Sequence, residues 1–267
     1  MKKSNILSLI IPAYKQEKTI ASDVLRIKNV LEKIRHPYEI IVVVDGYDDS
    51  TLNNAKKSAI RNKQIIVIGY KQNRGKGYAV RFGMARSKGD IIAFLDSGMD
   101  INPNGISMLL EHFEWYNADI IVGSKRHPVS KIDYPALRRI ISFLSQFFIR
   151  ILFGLNVKDT QVGLKFFRRE VLEQVLPRLL IKRYAFDIEL LVVANYLGFK
   201  RIYEAPVEIE WSTGSGITTK NLWRILLFTF IDTLAIFYRL KILSYYSDKN
   251  KRRWRYDPEL NFRVNLP

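Results

Sequence analysis

Two carboxylates, Asp96 and Asp100, follow directly on the apolar run Ile91–Leu95. In an open α/β sheet, ligands bind just beyond the carboxyl ends of the strands. Two carboxylates delivered there can hold a hard divalent cation against a diphosphate. The same pair also admits a plainer use, with Asp96 capping the next helix and Asp100 solvated. The run Tyr38–Val44 ends in a similar way, in Asp45-Gly46-Tyr47-Asp48-Asp49-Ser50-Thr51. Asp45 can accept hydrogen bonds from a nucleobase or ribose, whereas Asp49 suits the N-terminal cap of the following helix.

Two further blocks carry chemistry. In Asn73-Arg74-Gly75-Lys76-Gly77 the glycines let backbone N–H groups approach a phosphate that Arg or Lys can neutralise. Asp159-Thr160-Gln161-Val162-Gly163-Leu164-Lys165 sets a carboxylate, an amide and a cation around a glycine. Alone, the first is also an ordinary Gly turn and the second a turn with a salt-bridged lysine.

These residues need rigid elements behind them. Ile6–Ala13, Tyr38–Val44, Gln64–Gly69, Ile91–Asp96 and Asp119–Gly123 are apolar runs that predict strands. Glu17–Ile34, Asp49–Ile60, Gly77–Ser87 and Pro103–Tyr116 separate them and predict helices. Continuous apolar strands alternating with amphipathic helices predict an α/β fold, a mostly parallel sheet covered on both faces. In the second half, Leu137–Leu155 predicts a long helix with Leu137, Ile141, Leu144, Phe148, Ile151 and Leu155 on one stripe. A strand at Gly163–Arg168, a helix at Phe186–Tyr196, a strand at Arg201–Glu210 and an apolar helix at Ile225–Tyr238 follow.

The chain of 267 residues has 43 Lys and Arg against 26 Asp and Glu, a net charge of +17. That balance favours anionic partners. No helix-turn-helix, zinc finger or RNA-recognition pattern accompanies it, which puts a membrane surface and nucleotide phosphates ahead of nucleic acid. The absence of Cys excludes a disulfide framework and thiolate metal sites. The start, with a short apolar run ending at Pro12, reads as a first strand rather than a signal peptide. Neither hydrophobic helix reaches the roughly 20 apolar residues that span a bilayer. An apolar face beside Arg and Lys suits a helix lying in the interface, although both helices can equally pack on the sheet. Residues 246–267 form a polar, basic tail, either a flexible arm or an anionic-lipid contact.

Read in order, the blocks resemble the family 2 glycosyltransferases of the GT-A fold, and most closely the dolichyl- and polyprenyl-phosphate β-glucosyltransferases. The resemblance rests on Ile11-Pro12-Ala13-Tyr14-Lys15-Gln16-Glu17, Asn73-Arg74-Gly75-Lys76-Gly77, Phe94-Leu95-Asp96 and Gly123-Ser124-Lys125. It continues through Asp159-Thr160-Gln161-Val162-Gly163-Leu164-Lys165-Phe166-Phe167 and Arg183-Tyr184-Ala185-Phe186-Asp187-Ile188-Glu189-Leu190-Leu191. It implies one GT-A domain over residues 1–245, with a nucleotide-binding half (1–123), an acceptor half (124–245) and C-terminal interfacial helices. It further implies Pro12, Tyr14, Glu17, Asp45, Lys76 and Asp96 about the nucleotide, and Mg2+ or Mn2+ on Asp96 and Asp100. Lys125, Arg138 and Ser142 would hold an acceptor phosphate, and Asp159, Gln161 and Lys165 would orient sugar hydroxyls or the acceptor. Asp187 and Glu189 are either supporting partners or plain helix-terminus carboxylates. The implied reaction is inverting transfer of glucose from UDP-glucose to a polyprenyl phosphate, peripheral on the cytoplasmic face of a membrane. GDP-mannose as donor, or a catalytically silent binding protein, are the alternatives. The chain departs from the family pattern at Gly98, where a second Asp is usual, at Val44 for a further Asp, and at Lys125 for the usual Arg. With Gly98 in place, either Asp100 takes over as ligand or metal binding is weakened.

Overall fold

A computed structural model describes residues 5–98, 100–127, 130, 136–183, 185–209, 219–248, 250, 254–258 and 262–265, with backbone alone for 136–142, 219–223, 254–256 and 262–265. Strands and helices alternate through the first half. They are β1 (Leu7–Ala13), α1 (Ile20–Leu31), β2 (Tyr38–Asp45), α2 (Thr51–Ala59), β3 (Ile65–Tyr70), α3 (Lys76–Met84), β4 (Ile91–Leu95), α4 (Gly105–Trp115) and β5 (Ile120–Ser124). The second half holds α5 (Ala136–Phe153), β6 (Leu164–Arg168), α6 (Arg169–Val175), α7 (Phe186–Tyr196), β7 (Ile202–Pro206) and α8 (Thr219–Phe237). The α/β architecture expected from the strand–helix alternation is the one observed. Helix α6, which has too few residues to carry a periodic signal, was not expected.

Seven strands form one sheet in the order β3-β2-β1-β4-β6-β5-β7. The pairings of β1 with β2 and β4, β2 with β3, and β5 with β7 are parallel. β6 alone runs antiparallel, to both β4 and β5. The strands are apolar along their whole length because helices cover both faces. Ile10, Ile41, Val43, Ile92 and Phe94 enter one core, while Leu9, Ile11, Val42, Val44, Ala93 and Leu95 enter the other.

Helices α5 and α8 differ from the helices around the sheet. They pack against each other, with the rings of Phe148 and Phe230 5.3 Å apart. Phe143, Leu144, Phe147 and Ile151 on α5, and Leu227, Phe228, Ile231 and Leu234 on α8, are exposed. Among the described residues no helix is long and apolar enough to cross a membrane. Beyond α8 one turn widens to a π-helix at Tyr238–Ile242. The tail holds an antiparallel ladder, β8 (Trp254–Asp257) with β9 (Phe262–Asn265), which contacts the 3-10 turn Leu176–Arg178.

Candidate active site

The sheet register explains why distant blocks meet. β1, β2 and β4 run parallel, so Tyr14, Asp45 and Asp96, which lie at or just past their carboxyl ends, reach the same edge. A cavity of about 560 Å³ opens there, lined by Pro12, Tyr14, Asp45, Lys76, Asp96 and Asp100 of the expected set. Gln16, Asn73 and Arg183 also line it, none of which the individual motifs had singled out. Glu17, expected near the nucleotide, accepts the Ser50 amide at 3.1 Å and ties the β1 loop to the start of α2. Asp49 accepts the Thr51 amide at 2.9 Å, the expected helix-start role.

Asp45 is buried, and its carboxylate accepts hydrogen bonds from Asn73 Nδ2 (3.0 Å), Arg74 N (2.7 Å) and Gly75 N (3.0 Å). It therefore pins the Asn-Arg-Gly-Lys-Gly loop, and any contact with a base or ribose comes in addition to these bonds. The other side of that loop meets the segment before α7, where Tyr78 N donates to the Lys182 carbonyl at 3.2 Å.

Four charged side chains from four separate blocks form an alternating row at the cavity floor. Asp96 Oδ2 accepts from Lys76 Nζ at 2.9 Å, and Lys76 reaches Asp187 Oδ2 at 3.3 Å. Asp187 Oδ1 in turn accepts from Lys165 Nζ at 2.6 Å. Both ammonium groups also approach the ring of Phe94, whose centre is 5.3 Å from Lys76 Nζ and 5.1 Å from Lys165 Nζ. Burial disfavours the Asp187 carboxylate, but the two ammoniums outweigh it and hold the pKa below the usual range. Burial also opposes the charge on Lys76, yet Asp187 and Asp96 raise its pKa above that of a free lysine. Lys165 is 0% exposed, and its other bond goes to the Val162 carbonyl. The expectation that Lys165 orients sugar hydroxyls is thus corrected: its ammonium is enclosed by protein and braces Asp187 from beneath.

Asp96 is held by the one antiparallel strand. Because Leu95 pairs with Leu164, the residue before β6 faces the residue after β4. Asp96 N donates to Gly163 O at 2.8 Å, and a Cβ on residue 163 would lie 2.2 Å from Asp96 Oδ2. Only glycine leaves room for that carboxylate. This role of Gly163 is invisible in the sequence, where it looks like a turn residue.

Mg2+ or Mn2+ fits this site on one observation: Asp96 Oδ1 is buried and accepts no hydrogen bond. An oxygen in that state is costly unless a cation or donor meets it. Asp100 is exposed on the same cavity, and the two carboxylates match the hard-oxygen preference of these ions. Among the described residues no group of three or more His, Cys, Asp and Glu is gathered to hold a metal. Gly98 sits at φ +100°, a backbone conformation that glycine adopts freely and that strains other residues.

Around the residues expected to meet the acceptor, Asp159 accepts the backbone amides of Lys125 and Gln161, each at 3.3 Å. Burial raises the pKa of its carboxyl, against the pull of Lys125 and Lys165. Gln161 is exposed. Thr160 is fully buried and bonds Gln146 of α5 at 3.1 Å, while Glu204 of β7 accepts the Asp159 amide at 3.0 Å. The backbone of Arg138 and Ser142 belongs to α5, but their side chains lie outside the described residues.

Glu189 is the other carboxylate of α7 and is equally buried. It accepts the amides of Leu180 (2.9 Å) and Ile181 (2.8 Å) and the Tyr246 hydroxyl (2.7 Å). Arg239, in the π-turn, stands 3.8 Å away. Burial raises the pKa of the Glu189 carboxyl. Asp187 and Glu189 are therefore internal supports of the cavity and of the C-terminal segment, not exposed helix-terminus charges.

A cavity of this kind, at the carboxyl edge of a doubly covered sheet with an oxygen-donor floor and flanking cations, suits a nucleotide-diphosphate ligand. The sequence matches the model of Glycosyl transferase family 2 over residues 8–176, and the chain belongs to that family. Among its relatives is the dolichyl-phosphate beta-glucosyltransferase of Dictyostelium discoideum, 32% identical over 226 residues, or 79% of this chain and 67% of that protein. The enzyme of the same name from Homo sapiens is 30% identical over 81% of this chain and 70% of its own. The fold is also that of glucosyl-3-phosphoglycerate synthase from Mycobacterium tuberculosis, solved with Mn2+, UDP and phosphoglyceric acid. The two align with a TM-score of 0.65 at 20% identity over 98% of this chain and 87% of the other.

Proposed function

We propose that the protein transfers glucose from UDP-glucose to a polyprenyl phosphate held at a membrane surface, with inversion at the anomeric carbon. The observation that carries this reading is the adjacency of the cavity to the apolar helices. Helix α8 packs against α7, whose Asp187 bonds the cavity-lining Lys76, and Phe230, Ile231 and Leu234 of α8 are exposed. A polar donor site beside an outward apolar face is the arrangement that an amphipathic acceptor needs. Relatives bearing the name dolichyl-phosphate beta-glucosyltransferase support the same acceptor and sugar.

In this mechanism the acceptor phosphate is the nucleophile. It is already anionic at neutral pH, so positioning and charge stabilisation carry the catalysis rather than a strong base. A phosphate oxygen bonds to the anomeric carbon as the bond to the diphosphate breaks, and the electron pair leaves with UDP. Lys125 with Arg138 and Ser142 receives the acceptor phosphate, and Asp159 fixes the backbone from which Lys125 projects. Gln161, exposed beside it, is available to hydroxyls. Asp96 and Asp100 would hold Mg2+ or Mn2+, whose chemistry is to neutralise the charge that develops on the leaving diphosphate. Exposed apolar side chains on α5 and α8, together with the net charge of +17, support peripheral binding to an anionic bilayer on the cytoplasmic face.

The test is incubation with UDP-[14C]glucose, dolichyl or undecaprenyl phosphate, and Mn2+ or Mg2+, followed by organic extraction. Label in a β-linked glucosyl lipid is expected. Label from GDP-mannose alone would overturn the donor, and label on neither lipid despite UDP binding would overturn the acceptor.

A further inference from the structure

One side chain of the protein already sets a cation on the metal-ligand candidate Asp96. Lys76 Nζ sits 2.9 Å from Asp96 Oδ2, the partner oxygen of the unbonded Oδ1. The ammonium is also within 3.3 Å of Asp187, which Lys165 neutralises from the far side. Lys76 is therefore suspended between two carboxylates and keeps one partner whichever way it leans. A dication arriving at Asp96 meets this resident positive charge at contact range, and Lys165 adds a second positive charge behind it. A nucleoside diphosphate changes the balance, since its oxygens carry negative charge and offer Lys76 new acceptors. Mechanical adjustment is small, because the ammonium need only shift toward Asp187 and the diphosphate.

We propose that Lys76 is a built-in counter-cation that blocks divalent metal capture at Asp96 until a nucleoside diphosphate enters, making metal binding conditional on donor binding. The inference rests on the UDP-sugar reading above, and it assigns Lys76 a gating role in addition to contact with the nucleotide. Like charges at this separation in a partly buried site repel strongly enough to weaken metal affinity on the order of tenfold or more.

Mn2+ titration, read from the electron paramagnetic resonance signal of the free hexaaqua ion, tests this directly. Without nucleotide, Lys76→Met is expected to bind Mn2+ at least tenfold more tightly than the wild type, while Lys76→Arg stays as weak as the wild type. In the wild type, saturating UDP is expected to tighten Mn2+ binding by at least tenfold. Equal nucleotide-free affinity in Lys76→Met and wild type, or no Mn2+ binding by either, overturns the proposal. So does wild-type affinity that UDP leaves unchanged although UDP binds, a result that needs no variant to fold. Absence of UDP binding by calorimetry would instead sink the donor assignment, and the nucleotide-free comparison of Lys76→Met with wild type would still decide the gate.

Discussion

Replacing Gly163 with alanine adds a single methyl group at the most crowded point of the site. The new Cβ would stand 2.2 Å from Asp96 Oδ2 and 2.4 Å from its Cγ, where ordinary contact begins at 3.4 Å. The Asp96 carboxylate must therefore retreat by about 1 Å, since the other party is the backbone of the strand that pairs with β4. A displacement of that size at a reacting centre lowers rate by roughly 10²-fold. Overpacking a well-filled site costs about 1–3 kcal/mol, or roughly 2–12 °C in melting temperature for a domain of this size. Glucosyl transfer at 20 °C, where the variant stays folded by circular dichroism, is expected to show kcat reduced on the order of 10²-fold. KM for the polyprenyl phosphate is expected to stay within about twofold, because the proposed acceptor contacts are at Lys125 and α5 and not at Asp96. Gly163→Ala with kcat within about threefold of the wild type would refute the argument that residue 163 sets the position of Asp96. So would a loss confined to KM for the lipid.

Other outcomes follow from the buried charges and the apolar face. Asp187→Asn leaves the buried Lys165 ammonium without its carboxylate and is expected to destabilise the fold by about 3–5 kcal/mol, read as a melting temperature at least about 6 °C lower. Because the folded pKa of Asp187 is depressed, its stabilisation is full above the ordinary carboxylate value of about 3.9 and is lost as pH falls below it. Denaturant titrations between pH 5 and pH 2 (roughly the span of that transition) should lose stability steeply in the wild type and less steeply in Asp187→Asn. Tyr246→Phe removes a donor from buried Glu189 and is expected to cost about 1.5–3 kcal/mol in urea denaturation with no change in m-value. Phe147→Glu combined with Phe228→Glu is expected to abolish co-sedimentation with vesicles containing phosphatidylserine. Retained binding at physiological salt would exclude the α5–α8 face as the lipid contact.

Much of the architecture was readable from local pattern. Apolar runs such as Tyr38–Val44 and Ile91–Leu95 carry their own signal, because a strand covered on both faces has no polar side to interrupt it. The carboxylates at their ends were readable as site candidates for the same reason: a charge directly after a buried strand must emerge at the sheet edge. Lys165 was misplaced because the motif that carries a residue says nothing of which way its side chain turns. Lys165 lies on β6, and its burial follows from Phe94 facing it across the ladder and from α7 delivering Asp187 to its ammonium.

The identity of each chemical group, and its place along the chain, is a property of the sequence alone: four charged blocks, a positive balance and the apolar periodicities. What the tertiary structure decided is which of those groups share a few ångströms. Asp96 and Lys76 are 20 residues apart, and Lys76 and Asp187 are 111. Only the reversal of β6 brings Gly163 against Asp96 and sets Lys165 behind Asp187. Backbone pairing depends on contacts between distant segments, and a charge's neighbours, not its type, determine whether it meets a ligand or is enclosed by the protein.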